Sequence, residues 1–278
     1  MTNAFEPGIP VQLSSRVRRI TAPNPGVMTG PGTNTYLLGH REVAVLDPGP
    51  LIDSHVEAIL AAGQGKIRWI IATHTHPDHS PAWAPLKEAT GAEVIGARPW
   101  DDMFQDDTFA PEVEVRHDQL LEAPEFSLRA LHTPGHVGNH YCFLLEEEGM
   151  LFAGDHIMNG STVVIVPPSG NMKAYIDSLR LLLDYPLKSI APAHGALMDD
   201  PEAEVHWLVD HRLKREQKVL AGLRQINGGS LDELVVVVYD DVDAGIHHMA
   251  KLSLTAHLIK LQEEGKAGED DQGCWSLS

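Results

Sequence analysis

The sequence predicts a mixed α/β sandwich followed by a helical tail that ends in a hairpin. Three observations carry this. Across the first two-thirds of the 278 residues, short apolar runs alternate with Gly- and Pro-containing turns, the mark of strands. Helical patterns fall between some of these runs without a regular βαβ period, which points to mixed layers. Near residue 199 the pattern changes to long helical periodicity.

Taken in order, residues 35–39 and 42–47 are apolar runs divided by Gly39-His40-Arg41, a hairpin. Residues 66–73, 93–96, 112–116, 125–132, 141–146 and 150–153 are further strands. Asp53 or Ser54 caps a helix running to Ala62. A second helix covers 83–90 and stops at Gly91; a third covers 171–183, with Tyr175, Leu179 and Leu182 on one face. Asp199-Asp200-Pro201 starts a long amphipathic helix to about Gln225, which Gly228-Gly229 ends. Ser230-Leu231-Asp232-Glu233 has the capping-box pattern, so 234–239 is read as helix although its four valines favour a strand. Residues 244–264 form a helix with Met249, Leu252, Leu258 and Leu261 inside, and 266–278 a short hairpin. Helix, helix, hairpin is a winged-helix pattern. The expected domains are residues 1–199 and 200–278.

Composition narrows the function classes. The net charge of −18, from 21 basic and 39 acidic side chains, opposes non-specific attraction to nucleic acid or anionic membrane. No apolar run approaches the ~20 residues of a membrane helix. The first 20 residues lack an apolar signal core, so a cytoplasmic enzyme is the expectation. Cys142 and Cys274 cannot make a disulfide framework and read as a strand residue and a tail residue. The unusual number is 16 histidines.

Their positions are not random. "ATHTHPDHSP" places His74, His76, Asp78 and His79 directly after the apolar run ending at Ile71. Side chains alternate in extended chain, so His74 and His76 point the same way; a turn at Pro77 lets Asp78 and His79 face a second point nearby. That arrangement suits two metal ions. Further ligands stand where later strands meet loops: His136 in "HTPGHVGNH", Asp155 in "LFAGDH" and His194 in "IAPAHG". These seven imidazoles and carboxylates suit zinc, two ions per chain. His132 and His140 flank His136 and are candidates to hydrogen-bond the ligands; His156 follows Asp155 and is a weaker one. His40, His55, His117, His206, His211, His247, His248 and His257 read as surface or helix-packing residues.

The motifs "THTHPDHS", "HTPGH", "GDH" and "PAHG", with "GTNTYLLG" and "LDPGP" upstream, resemble the metallo-β-lactamase superfamily over roughly residues 20–200. The resemblance implies an αββα sandwich with the metals at one edge between two sheets. Carried over by position, His74, His76 and His136 hold one ion, Asp78, His79 and His194 the other, and Asp155 bridges. Asp78 in place of Cys resembles the hydrolases of thioesters, lactones and RNA. A familiar Gly-Gly after the first motif is replaced by Pro81-Ala82. The tail resembles the lactamase-like proteins with a winged-helix C-terminus, which include an endoribonuclease.

The implied chemistry is hydrolysis by a metal-activated water, with Asp78 and Asp155 as the catalytic carboxylates. The favoured substrate is a small ester, thioester or lactone. A metal-dependent endoribonuclease and a mononuclear iron dioxygenase are the alternatives. Charge disfavours RNA: from residue 201 onward there are 8 Lys/Arg against 14 Asp/Glu, a balance of −6. The one basic cluster, 211–218, reads as a solvated helix face. The tail is therefore expected to serve packing or homodimerisation, and the partner of the site to be a small molecule, with no membrane involved.

Overall fold

Alternating apolar runs pair into two sheets in the computed structural model, which describes residues 5–100 and 102–278. The first sheet has seven strands in chain order: β1 (Val11–Gln12), β2 (Val17–Thr21), β3 (Asn34–Leu38), β4 (Val43–Leu46), β5 (Ile67–Ile71), β6 (Glu93–Gly96) and β7 (Val113–Glu114). β1 to β4 pair antiparallel and β4 to β7 parallel. The second sheet has the order β12-β11-β10-β9-β8, from β8 (Gln119–Glu122), β9 (Ser127–His132), β10 (Tyr141–Leu145), β11 (Met150–Gly154) and β12 (Ser189–Pro192). Only β11 and β12 pair parallel.

One apolar core joins the two sheets, with Tyr36, Leu46 and Ile71 from the first meeting Leu128, Phe143 and Phe152 from the second. A separate core packs Leu37, Val45 and Ile70 against Ile59 of α1 (Asp53–Gly63) and Leu86 of α2 (Trp83–Thr90). Covered on both faces, β3 and β4 are buried at every position, which is why they read as continuous apolar runs. Three strands escape the hydrophobic pattern, the two-residue β1 among them. Arg18 and Arg19 interrupt β2, yet Arg19 is buried. β8, at the edge of its sheet, is only half-buried at alternate positions.

The chain forms two compact units. The first comprises residues up to Thr133, Asn139–Ser161 and Pro186–Pro201; the second comprises Pro134–Gly138, Thr162–Tyr185 and Glu202–Ser278. In the second unit lie α3 (Met172–Leu182), nearly all of α4 (Pro201–Ile226), α5 (Leu231–Val238), α6 (His247–Glu263) and the hairpin of β13 (Ala267–Glu269) and β14 (Trp275–Leu277). Its tail has its own core, with Val219, Leu223, Leu234, Leu258, Leu261 and Trp275 inside. No helix among the described residues is long and apolar enough to cross a membrane.

Local signals mostly decide the helix ends. Asn171 caps α3 through Ala174 N–H, and Gly91 ends α2 in left-handed backbone. Ser230 and Glu233 form the full capping box, and the four valines go helical because that turn also buries Leu234, Val235 and Val238 in the tail core. Three expectations need correcting. Asp53 is the first helical residue, not the cap; Ile52 takes that position with no side-chain bond. Residues 244–246 are a separate 3-10 turn before α6, and Leu252 is exposed while Leu254 takes the inward place.

The third correction concerns 211–218, which is solvated only in part: Lys214 and Gln217 are exposed, while other charged side chains turn inward. Arg212 is 3% exposed and Glu216 7%. Lys260 Nζ lies 2.6 Å from the Glu216 carboxylate and 2.7 Å from Glu264. Arg215 pairs with Asp241 at 2.8 Å and Lys218 with Asp240 at 2.5 Å. Breaking a buried ion pair from one side strands a charge, whereas replacing both partners by apolar groups does not. Lys260→Met is therefore expected to cost roughly 3–5 kcal/mol of unfolding free energy, and adding Glu216→Leu to restore most of it. Urea melts of the single and double variants measure this; simply additive losses would show the pair to be uncoupled.

Candidate metal centre

The first motif begins where β5 ends. Past Ile71 the chain leaves the sheet, and Pro77 takes the second position of a turn closed by His79 N–H to the His76 carbonyl at 3.0 Å. His74, Asp78 and His79 are thereby drawn together. The "LDPGP" segment braces this turn: Gly49 N–H donates to the His79 carbonyl at 2.8 Å, and Ala82 N–H to Gly49 at 3.1 Å.

Two clusters of ligand atoms lie in the first unit. His74, His79 and Asp155 form one, and Asp78, His79 and His194 the other, with the ligand atoms of each within 4.8 Å of one another. Asp155 Oδ1 stands 3.5 Å from His79 Nε2 and 3.3 Å from His194 Nε2. Asp78 Oδ2 stands 3.4 Å from His79 Nε2 and 3.3 Å from His194 Nε2. His76 Nδ1 lies 3.0 Å from His74 Nε2. His136 lies on the turn Pro134–Gly138 in the second unit, with Nδ1 2.8 Å from the Val164 carbonyl.

Asp47, at the end of β4, carries a role that reading the sequence did not assign. Its carboxylate, 1% exposed, accepts from Thr73 N–H at 2.7 Å and from Thr73 Oγ1 at 2.9 Å. The same carboxylate lies 3.2 Å from His79 Nδ1, and Thr73 Oγ1 lies 3.0 Å from His74 Nδ1. Because Thr73 gives its hydroxyl proton to Asp47, His74 donates Nδ1–H to Thr73. His79 donates Nδ1–H to Asp47. Nε2 is therefore the nitrogen that each ring has to offer a metal ion. The signal was present in "LDPGP": an aspartate directly after a buried strand.

His140 also joins this network. Its Nε2 accepts from Asp155 N–H at 3.2 Å, and its Nδ1 lies 2.9 Å from Thr133 Oγ1. Gly154 makes room for it: in left-handed backbone (φ 51°), a Cβ there would stand 2.6 Å from His140 Nε2 and 2.7 Å from Thr73 Oγ1. His156 is buried with its ring 5.7 Å from that of His140. His132 turns away to lie on Tyr141, ring centroids 4.8 Å apart. His55, read as a helix-packing residue, is wholly buried on α1 and reaches Thr35 Oγ1 at 2.9 Å.

Electrostatics separates the ligands into two kinds. Burial, reinforced by His79, His76 and His140, pushes His74 well below the ordinary imidazole range, so it is neutral. Burial opposes charge on His79 and His194 as well, but the carboxylates outweigh it. Asp78 and Asp155 hold His79 well above its ordinary value, and Asp155 with Asp78 lifts His194 to about 9. Burial would raise Asp78 and Asp155; the two histidines hold both well below the carboxylate range.

These residues fit a cationic centre. His79 Nε2 is buried, makes no hydrogen bond, and faces two carboxylate oxygens. The donor set is imidazole and carboxylate, ligands of divalent first-row metals. A family model described as metallo-beta-lactamase superfamily matches residues 28–194. The chain belongs to that superfamily. A second model, the beta-lactamase associated winged helix domain, matches residues 230–275.

Superfamily relatives align along nearly the whole chain. An atrochrysone carboxyl ACP thioesterase of Aspergillus chevalieri is 31% identical over 275 residues, covering 94% of this chain and 86% of that one. A beta-lactamase-like protein 2 homolog of Drosophila melanogaster is 31% identical over 274 residues, covering 92% and 90%. A beta-lactamase domain protein of Burkholderia ambifaria superposes with a TM-score of 0.84 at 18% identity, covering 100% of this chain and 96% of that one. The fold is thus the αββα metallo-β-lactamase sandwich with a C-terminal winged helix, and the protein is a metal-dependent hydrolase.

Two outcomes are expected. Asp47→Asn removes the acceptor that orients His79 directly and His74 through Thr73, and should weaken metal retention roughly 10- to 100-fold against a competing chelator, with little change in far-UV circular dichroism. Protons also compete with metal. Stripped of metal, the protein holds a proton on His194 up to about pH 9, and that stabilising pair is lost as pH rises from the unfolded value of 6.5 through about 9. Zinc uptake near pH 7 should therefore release protons, counted in a pH-stat, and the number should fall above about pH 9. Release that is independent of pH would contradict the charge assignment.

Proposed function

We propose that the protein is a dinuclear zinc hydrolase of a small ester or, above all, thioester, with lactones as further substrates. The observation that carries the two-ion reading is the place of Asp155. Its partly buried carboxylate lies between His79 and His194 and belongs to a cluster with His74. In this reading His74, His76 and His136 would hold one ion, Asp78, His79 and His194 would hold the other, and Asp155 would serve both. With His136 Nδ1 on the Val164 carbonyl, Nε2 would be the nitrogen offered to an ion. The bound ions would supply an acidified water as nucleophile and positive charge for the developing oxyanion. Asp78, the more exposed of the two carboxylates, would orient such a water and accept a proton. His140 fixes the backbone of Asp155, and Asp47 fixes the rings of His74 and His79.

Support for an acyl substrate comes from two loops. Val27 and Met28 stand exposed on the loop 24–33, whose last residue, Thr33, bridges His194 and lies 3.4 Å from Asp78 Oδ2 through its hydroxyl. Trp100, Met103 and Phe104 stand exposed on the loop 97–110. That loop is fastened to the ligand segment by Asp106 N–H to the Thr75 carbonyl at 2.6 Å and Ser80 Oγ to Asp106 at 2.7 Å. Apolar groups on loops tied to both ends of the ligand set favour a substrate with an apolar acyl or aryl part. Relatives that bear a thioesterase name point to the same bond.

RNA is disfavoured. The net charge is −18, and of the four Lys/Arg side chains in 211–218 three, Arg212, Arg215 and Lys218, are spent on internal partners, which leaves Lys214 exposed. Iron has one observation behind it. A structure solved in a di-iron-bound form is 27% identical, with a TM-score of 0.53, over 67% of this chain and 97% of that one.

The experiment is metal analysis of the purified protein, followed by a rate panel of acyl thioesters, lactones and single-stranded RNA. About two zinc per chain with thioester turnover is expected; one iron with oxidation, or salt-sensitive RNA cleavage, would overturn the reading. Asp155→Ala should lose metal and turnover while remaining folded. Trp100→Ser combined with Met103→Ser should lower kcat/KM for a long-chain acyl thioester at least about fivefold, from roughly 1 kcal/mol of lost apolar contact, and leave the acetyl thioester nearly unchanged.

A further inference from the structure

The second unit contains a route from a tail helix to a candidate ligand. His136 Nδ1 lies 2.8 Å from the Val164 carbonyl. The preceding carbonyl, Val163, accepts a 2.6 Å bond from Arg212 Nη2 on α4. One arginine therefore holds the backbone segment whose next carbonyl orients the imidazole.

A second path runs from the same guanidinium. It lies over the Tyr175 ring, 5.2 Å from the centroid. Tyr175 is pressed against the turn that bears His136: a Cβ on Gly135 would stand 2.3 Å from Tyr175 Cα, closer than any side chain permits. Two bonds fasten that turn to α3, one at its N-cap and one at its middle. Asn171 N–H donates to the Gly135 carbonyl at 2.8 Å, and Ser178 Oγ to the Pro134 carbonyl at 2.8 Å.

We propose that Arg212 is a positioning residue for His136, so that the tail helix is part of the scaffold of a metal ligand. The chemistry of Arg212 supports this. It is 3% exposed, and among the described residues its buried charge meets a carbonyl and an aromatic face. A buried cation held in this way is costly, and a leucine would fill the helix position more cheaply. Reaching a carbonyl while covering a ring is what a planar guanidinium does and a leucine cannot. The proposal rests on the reading that His136 holds an ion, and the test separates the two.

The measurement is zinc release from the loaded full-length protein to a competing chelator, with thermal melts alongside. His136→Ala should lose one of two ions outright. Arg212→Met should release one ion at roughly tenfold lower chelator, the other being unchanged. Arg212→Lys, which keeps a donor for Val163, should lie between Arg212→Met and the unaltered protein. Arg215→Gln breaks bonds to Val238 and Asp241 three residues along the same helix; it should melt earlier and keep both ions. If His136→Ala keeps both ions, the ligand reading falls. If it loses one while folded Arg212→Met and Arg212→Lys keep both as the unaltered protein does, the positioning proposal falls and the ligand reading stands. If Arg215→Gln loosens the same ion equally, general destabilisation replaces positioning. Should Arg212→Met not fold, Arg212→Lys decides: easier release of one ion supports the proposal, and unaltered release overturns it.

Discussion

The centre depends on one buried carboxylate. Asp47 sits at the end of β4 in left-handed backbone (φ 50°), a conformation that aspartate tolerates better than most residues. Three donors converge on it: the Thr73 amide, the Thr73 hydroxyl and His79 Nδ1. Those bonds offset the cost of burying its charge. They also couple residues that are distant in sequence. The backbone that follows β5 is held to the end of β4, and two imidazoles acquire a definite tautomer. Behind it, Thr35 Oγ1 donates to the Asp47 carbonyl at 2.6 Å and His55 Nε2 lies 2.9 Å from that hydroxyl. Burial pushes His55 down to about 4, so this support is neutral and adds no charge to an already crowded site.

The charge around the site is balanced for a cation. Two ionised carboxylates face His79 and His194, and the same carboxylates that raise those imidazoles would attract a divalent ion in place of the protons. His74, neutral and surrounded by other imidazoles, needs no proton removed. Proton and metal would thus compete at one half of the candidate set more than at the other.

The tail has a different economy. It has its own apolar core, and most of its cations are consumed by neighbours: Arg215 by Asp241, Lys218 by Asp240, Lys260 by Glu216 and Glu264. What remains outward is acidic excess. A winged-helix pattern is often read as a nucleic-acid module, but recognition of phosphate needs outward cations. Here Arg212 turns inward, to a backbone carbonyl and a tyrosine ring.

Much of this was legible in the sequence. The ligand motifs are local: strand, turn and spacing lie within a few residues, so His74, His76, Asp78 and His79 announce themselves, and Asp155 and His194 do so at the ends of β11 and β12. The capping box of α5 overruled a strand-like run of valines for the same reason, because the competing signals sit within one turn. The rest was decided by contacts between distant segments. β2 and β8 were hidden because burial of an arginine or half-burial at a sheet edge is set by neighbouring strands, not by the strand itself. His140 and His132 looked alike in the sequence, and only the fold put one against Asp155 and the other on Tyr141. Arg212 read as a surface charge because nothing in 211–218 shows Val163 or Tyr175. A side chain's partner is a property of three-dimensional proximity, and a sequence reveals it only when that partner lies within the same turn or strand end.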